Sequence, residues 1–217
     1  MNTLIIGAGI AGLALGRALA DRGQSIRLVE KSKGVGGRMA TRRTDSGKFD
    51  HGAQFYSLKP AIQSLHERWA SAGLVRPWLR DNGVERFAAP AGITSLAKNL
   101  SQGLNIGLEK KVIRLEEKTA GWISHFEDGE EFFSERVVLT APLPQSLELL
   151  QASQIDFPPA LAKIRYAKAL VGLFEGCMPF PPYQENLRHG IFSLSSQRSK
   201  GLIPNGEGIT VVMSAEF

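Results

Sequence analysis

A chain of 217 residues has room for one well-filled core, or for one core with a small second lobe, since domains usually hold roughly 100 to 200 residues. With 43% hydrophobic and 22% charged residues, the composition is that of an ordinary globular protein and excludes a disordered or fibrous one. The net charge of +5 is spread among acidic residues, and the densest basic run, Arg38 to Arg43, is too short and too poor in aromatics for a nucleic-acid partner, so the anion expected is a cofactor phosphate.

From the N-terminus, Thr3 to Ile6 is an apolar run without polar alternation, the pattern of a strand buried on both faces of a parallel sheet. It leads into Gly7-Ala8-Gly9-Ile10-Ala11-Gly12, after which Leu13, Leu15, Ala18 and Leu19 recur at helical spacing up to Asp21-Arg22-Gly23. Ile26 to Val29 reads as a second strand, closed by Glu30. The first twenty residues lack a basic start and carry patterned glycines, so they do not read as a signal peptide. No run reaches the 18 or more apolar residues of a membrane span.

A GxGxxG is weak evidence alone, but here it follows a strand, opens a helix and is trailed by an acidic residue 18 positions after Gly12. In such a unit Gly7 permits the tight turn, Gly9 admits a pyrophosphate to the backbone, and Gly12 lets helix and strand pack closely. The helix N-terminus offers N–H groups and partial positive charge to phosphates. Glu30 would accept from ribose hydroxyls and disfavour a 2′-phosphate. The motif indicates a dinucleotide and does not separate NAD from FAD.

An NAD-binding unit would continue with helix and strand. This chain instead runs through Lys31-Ser32-Lys33-Gly34-Val35-Gly36-Gly37-Arg38, which is loop chemistry. A second backbone-rich loop suits a longer ligand, with paired glycines for close approach and a guanidinium for phosphate or a flavin oxygen. In Phe49-Asp50-His51-Gly52-Ala53-Gln54, small residues would let backbone lie against a flat ring, and Gln54 would offer its amide.

Further on, Pro60 to Ala72 is a predicted helix with Trp69 in its core face, and Thr94 to Leu100 another, with Thr94 or Ser95 as its cap. Strands are expected at Leu108 to Leu115, Trp122 to Phe126 and Glu131 to Phe133, the last two joined by the hairpin signal Asp128-Gly129, and at Arg136 to Leu139. His125 is expected at the surface. Strand candidates follow at Ala167 to Phe174, Gly190 to Leu194 and Gly208 to Met213. The single cysteine, Cys177, excludes an internal disulfide and fits a reducing cytoplasm; without a basic partner nearby it reads as an inert thiol. Four scattered histidines give no zinc spacing.

GAGIAG, VEKSKGVGGRMATRR and FDHGAQFY together resemble the N-terminal part of the flavin amine-oxidase superfamily, most specifically the bacterial renalase-like proteins. AGITSLAKNL and VVLTAPLPQSLELL resemble later segments of the same family. The resemblance implies an α/β fold, a Rossmann-like FAD/NAD(P)-binding domain at 1–75 and 103–150 with a β-rich substrate lobe at 76–102 and 151–217. It implies FAD held at Gly7, Gly9, Ile10, Ala11 and Gly12 for the pyrophosphate and at Glu30, with Lys31, for the ribose. Gly36, Gly37, Arg38, Met39 and Ala40 would follow toward the flavin, Gly52, Ala53 and Gln54 would lie near the ring, and Val112 and Ala141 beside the adenine half. By the resemblance, many bacterial relatives carry an Arg-Asn pair at about the places of Ser196 and Gln197, and family members continue past SAEF, so the chain reads as truncated. The activity implied is transfer of hydride from a small reduced substrate, an isomer of NADH or NADPH, with electrons passed to O2 to give H2O2. An amine oxidase or desaturase on the same scaffold, or an inactive FAD-binding remnant, are the alternatives. No Ser-His-Asp set, paired carboxylates or metal cluster demands another mechanism, and no catalytic side chain is assigned.

Overall fold

The computed structural model describes residues 2–176, 179–187 and 189–215. Cys177 lies outside the described residues. Two compact units divide the chain: Met1–Gly37 with Leu100–Tyr166, and Arg38–Asn99 with Ala167–Phe217. The division expected from the resemblance assigns residues 38–75 to the cofactor domain; by packing, they go with the second unit.

In the first unit the strand Asn2–Ile6 lies between Arg136–Leu139 and Ser25–Val29 in a parallel sheet, with Ile106–Gly107 beyond the latter. Its lack of polar alternation follows from this central place: Ile5 has Val138 on one side and Leu28 on the other, and Leu4 and Ile5 are fully buried. The helix Ile10–Ala20 forms the crossover between parallel strands. Gly16 lets it lie close to the sheet, for a Cβ there would stand 2.9 Å from Leu28 Cδ1. Gly23 ends it at φ +71°, donating its N–H to Ala20 O at 2.8 Å.

An antiparallel sheet of Val112–Lys118, Gly121–Phe126 and Glu131–Ser134 completes this unit, with Gly129 at φ +86° in the expected hairpin turn. Leu4, Val29, Val112, Leu115, Phe126 and Leu149 form one core. Each such apolar side chain, fully buried, contributes about 1.5–3 kcal/mol. Leu149 comes from the helix Leu143–Ala152, and Ser153 just past its end accepts the Leu115 N–H at 2.8 Å.

The second unit is β-rich: a hairpin Thr41–Thr44 with Gly47–Asp50, a sheet ordered Tyr56–Ser57, Val84–Ala88, Arg76–Asp81, and a sheet ordered Val171–Gly176, Glu207–Met213, Ile191–Ser196, Tyr183–Glu185. Its helices are Gln63–Ser71, preceded by the 3₁₀ turn Pro60–Ile62, and Thr94–Ser101. Trp69 is 3% exposed, a core residue as its helical periodicity requires.

The structure adds to or departs from the sequence expectations at four places. Leu108 to Leu115 is not one strand, because Glu109 adopts φ +56° where the chain leaves the parallel sheet, and the next strand starts at Val112. The basic run is partly a strand, Thr41–Thr44, whose Arg42 and Arg43 are exposed and hide the apolar alternation that would reveal it. His125 is half-buried rather than freely exposed: its side chain is 17% exposed, between Glu116 (3.2 Å) and Glu131 (2.9 Å). The Thr94 hydroxyl does not cap its helix; it accepts the Thr41 N–H at 2.8 Å and donates to Met39 O at 2.9 Å.

Candidate cofactor-binding site

Gly7 sits where the first strand ends. Its φ of +108° is closed to most side chains, its N–H donates to Val29 O at 2.8 Å, and a Cβ would lie 2.9 Å from Thr140 Oγ1. The Thr140 hydroxyl in turn bonds the carbonyls of Ile6 (3.0 Å) and Gly7 (2.9 Å). At Gly12 a Cβ would meet Gly7 O at 2.0 Å, so turn and helix touch as the motif requires. Gly9 differs from both, with no atom within 4 Å of an added Cβ. Its missing side chain keeps open a space that the protein's own atoms do not fill.

That space lies at the start of the helix Ile10–Ala20, where no side chain caps the first turn. The N–H groups of the first turn have no partner within a helix, and they carry the positive end of its dipole. A pyrophosphate fits this chemistry.

The second glycine cluster is fastened to the first. Gly36 N–H donates to Ala8 O at 2.9 Å, and Gly36 forms a parallel bridge with Gly9. Gly36 at φ +117° and Gly37 at φ +55° need glycine's freedom, and a Cβ on Gly37 would come within 3.4 Å of Gly9 Cα. Glu30 joins the same assembly: one carboxylate oxygen accepts the Ala8 N–H at 2.9 Å and the other the Ser32 N–H at 3.0 Å. The residues that interrupt the expected strand are stitched here too, with Glu109 N–H to Ser32 O and Lys110 N–H to Glu30 O.

Within the first unit, then, Gly7, Gly9, Ile10, Ala11, Gly12, Glu30, Gly36 and Gly37 come together. Ala141 is half-buried beside the Gly7 turn, its N 3.2 Å from where a Gly7 Cβ would be. The Val112 side chain belongs to the core, and the exposed Lys31 ammonium reaches Gln145 at 3.0 Å.

The remaining candidates belong to the second unit. Arg38 is exposed, Met39 buried and Ala40 half-buried. The turn containing Gly52 and Ala53 is pinned to them by Ala53 N–H to Arg38 O and His51 N–H to Ala40 O, each 2.9 Å. Gly52 is glycine for a packing reason, since its Cβ would stand 1.9 Å from Arg38 O. Gln54 is 8% exposed and its amide is committed internally: Nε2 donates to Asp50 O (2.7 Å) and Gly52 O (3.0 Å), while Oε1 accepts from Lys200 Nζ (2.7 Å) and Gln197 Nε2 (3.2 Å).

Ser196 and Gln197 both turn inward. Ser196 donates to Glu207 Oε1 at 2.8 Å, and Gln197 accepts the Asp50 N–H at 3.0 Å. Sequence reasoning missed Thr140 at the Gly7 turn and, in the second unit, the buried pair Asp50 and Lys200. Asp50 lay inside a quoted motif, but no spacing linked it to Lys200, 150 positions away. Among the described residues no group of His, Cys, Asp and Glu is arranged to hold a metal ion, and no helix is long and apolar enough to cross a membrane.

Residues 5–69 match the family of NAD(P)-binding Rossmann-like domains. Renalase from Mus musculus is 28% identical over 167 residues, which cover 68% of this chain and 49% of the mouse protein, so the chain spans about half the length of that relative. A putrescine oxidase redesigned in its cofactor binding shares the fold with a TM-score of 0.76 at 13% identity, over 98% of this chain and 75% of its own. A CLA-producing fatty acid isomerase from P. acnes does so with a TM-score of 0.73 at 15% identity, over 97% of this chain and 76% of its own. The chain thus carries an NAD(P)-binding Rossmann-like domain over residues 5–69, is similar to renalase in sequence, and shares its fold with putrescine oxidase.

Proposed function

We propose that this chain carries the FAD-binding part, and part of the substrate lobe, of an oxidoreductase of renalase type. The substrates are isomeric forms of NADH or NADPH, the electron acceptor is O2 and the product is H2O2. The sum balances: dihydronicotinamide, one proton and O2 give oxidised nicotinamide and H2O2. The observation that carries the cofactor reading is the open space at Gly9, framed by the uncapped helix and by the Gly36 loop bonded to Ala8. A cradle built from two loops suits FAD, whose ring system extends beyond the pyrophosphate.

Bound FAD would accept hydride and return electrons to oxygen. The chain's own part is binding and orientation. The N–H groups of Ile10, Ala11 and Gly12 would hold the pyrophosphate, and Gly7 and Gly9 would admit it. Glu30, with Lys31 next to it, takes the ribose hydroxyls. Gly36 and Gly37 extend the backbone surface, Arg38 offers an exposed guanidinium, and Met39 and Ala40 continue toward the flavin. Val112 and Ala141 are assigned to the adenine half, and Gly52, Ala53 and Gln54 to the ring.

The test is an absorbance spectrum of the purified chain, desalted after incubation with and without FAD. Retained visible flavin bands support the reading; a colourless chain that rejects FAD overturns it for this polypeptide. The fold shared with putrescine oxidase favours a second reading, oxidation of an amine. Flavin bleaching by amines but not by dihydronicotinamide isomers would select it.

A further inference from the structure

Lysine is almost never fully buried unless it is paired, and Lys200 has no exposed surface at all. Among the described residues, four groups face its ammonium. Gln54 Oε1 lies at 2.7 Å from the turn after the hairpin, Asp50 Oδ2 at 3.5 Å from the strand Gly47–Asp50, Gln197 Oε1 at 3.5 Å from its own turn, and the Trp78 ring centre at 5.2 Å from the strand Arg76–Asp81. Of these only Asp50 carries charge. Asp50 is also fully buried, and its other oxygen accepts the Ile93 N–H at 2.8 Å and the Thr41 hydroxyl at 2.7 Å.

An amide side chain has two ends of similar shape and opposite hydrogen-bonding sense. An ammonium can only donate, so it accepts one of them alone, the oxygen. With Gln54 Oε1 held at Lys200, the Gln54 NH2 is directed back to the carbonyls of Asp50 and Gly52 and closes the turn between them. The closest hydrogen bond that Lys200 makes therefore sets the orientation of a side chain whose other end shapes residues 50–54.

We propose that Lys200 is a positioning residue: its ammonium fixes Gln54 and, through Gln54, the shape of the Gly52–Gln54 turn. Its consequence for the flavin rests on the function proposed above, which assigns that turn to the ring; its consequence for the turn does not. Burial pulls the Lys200 pKa down to about 8, against the opposing pull of Asp50. The ammonium thus prevails at neutral pH and the amine at about pH 9.5, and an amine, which accepts as well as donates, no longer dictates the orientation of Gln54.

The experiment is amide hydrogen exchange on the chain without cofactor, with Lys200→Met beside the unaltered protein. Thermal unfolding checks that the variant folds, and the ladder between Val171–Gly176 and Glu207–Met213 in the same unit serves as the internal reference. In Lys200→Met, protection at the His51 and Ala53 N–H groups is expected to fall at least tenfold while the reference ladder keeps its protection. In the unaltered protein the same two amides are expected to lose protection between pH 7 and pH 9.5, after correction for intrinsic exchange, again without the ladder. If Lys200→Met does not fold, this pH series decides. Unchanged protection at His51 and Ala53, or an equal loss throughout the unit, overturns the proposal. A parallel titration with FAD separates the two readings. If the unaltered chain rejects FAD, the proposed function fails and exchange alone judges the turn. If it binds FAD and folded Lys200→Met binds with the same affinity and the same visible band shape, the link from Lys200 to the flavin is overturned.

Discussion

Gly36 donates its backbone N–H to the carbonyl of Ala8 at 2.9 Å, and by that bond the second glycine cluster becomes one wall of the first. Twenty-eight positions separate the two residues (36 − 8), yet the bridge between Gly9 and Gly36 aligns them as neighbouring backbone segments. This is why two glycine clusters stand so close in the chain: the first turns the backbone toward the helix, and the second lines the opening that the first leaves.

Gly9 and Gly12 are expected to part company on substitution. Gly12→Ala drives a methyl into Gly7 O, and overpacking of this kind costs about 1–3 kcal/mol, visible as a lowered melting temperature. Gly9→Ala meets no protein atom, so the melting temperature is expected to hold while FAD retention after desalting drops at least tenfold. A Gly9→Ala chain that keeps its FAD affinity would mean that the opening is not the phosphate site.

Glu30→Gln is expected to weaken FAD binding by about ten- to a hundredfold, measured by quenching of flavin fluorescence. A charged acceptor contributes roughly 1.5–3 kcal/mol per hydrogen bond, here to the ribose hydroxyls of the proposed site, and the same carboxylate also fastens the Ala8 and Ser32 N–H groups beside the opening. Losing the negative charge also relaxes discrimination against a 2′-phosphate, so NADP should compete better with the variant than with the unaltered chain.

Buried Lys200 and half-buried Tyr56 predict opposite responses to alkali. The folded pKa of Lys200 is lowered from 10.5 to about 8, so between those values the unfolded chain holds a proton that the folded chain has released, and stability rises with pH. Tyr56 is raised by burial from 10.0 to about 12, so above pH 10 the unfolded chain ionises first and stability falls. Urea unfolding between pH 8 and 10 should show the rise, and Lys200→Met should remove it; Tyr56→Phe should flatten the fall above pH 10.

Gly52→Ala is expected to disturb the turn without touching the Gly7 to Gly12 cradle. Its methyl would meet Arg38 O, and the bond from Ala53 N–H to that same carbonyl must lengthen or break. Exchange at Ala53 should rise at least tenfold, while exchange at Leu4 and Ile5 in the first unit stays as it was.

The strand, glycine turn and helix of the first twenty residues were legible because their signals are local: apolar continuity, glycine spacing and helical periodicity act within a few residues of one another. The Asp128-Gly129 hairpin was legible for the same reason. The hairpin Thr41–Thr44 with Gly47–Asp50 was not, since two exposed arginines occupy the positions where alternation would appear. Nor was the break at Glu109, where the chain passes from a parallel to an antiparallel sheet for reasons that lie in its partners.

By itself the sequence determined the strand, the glycine turn and the helix that follows it, because each answers to a backbone constraint on its own position. Tertiary structure decided what those residues touch. It brought Lys200 to Gln54 and Asp50 across about 150 positions, turned Gln197 and Ser196 inward, and set residues 38–75 with the second unit rather than the first. A buried charge has no periodicity to announce it. It is tolerated only where packing has already placed its partners, and that placement is a property of the folded chain.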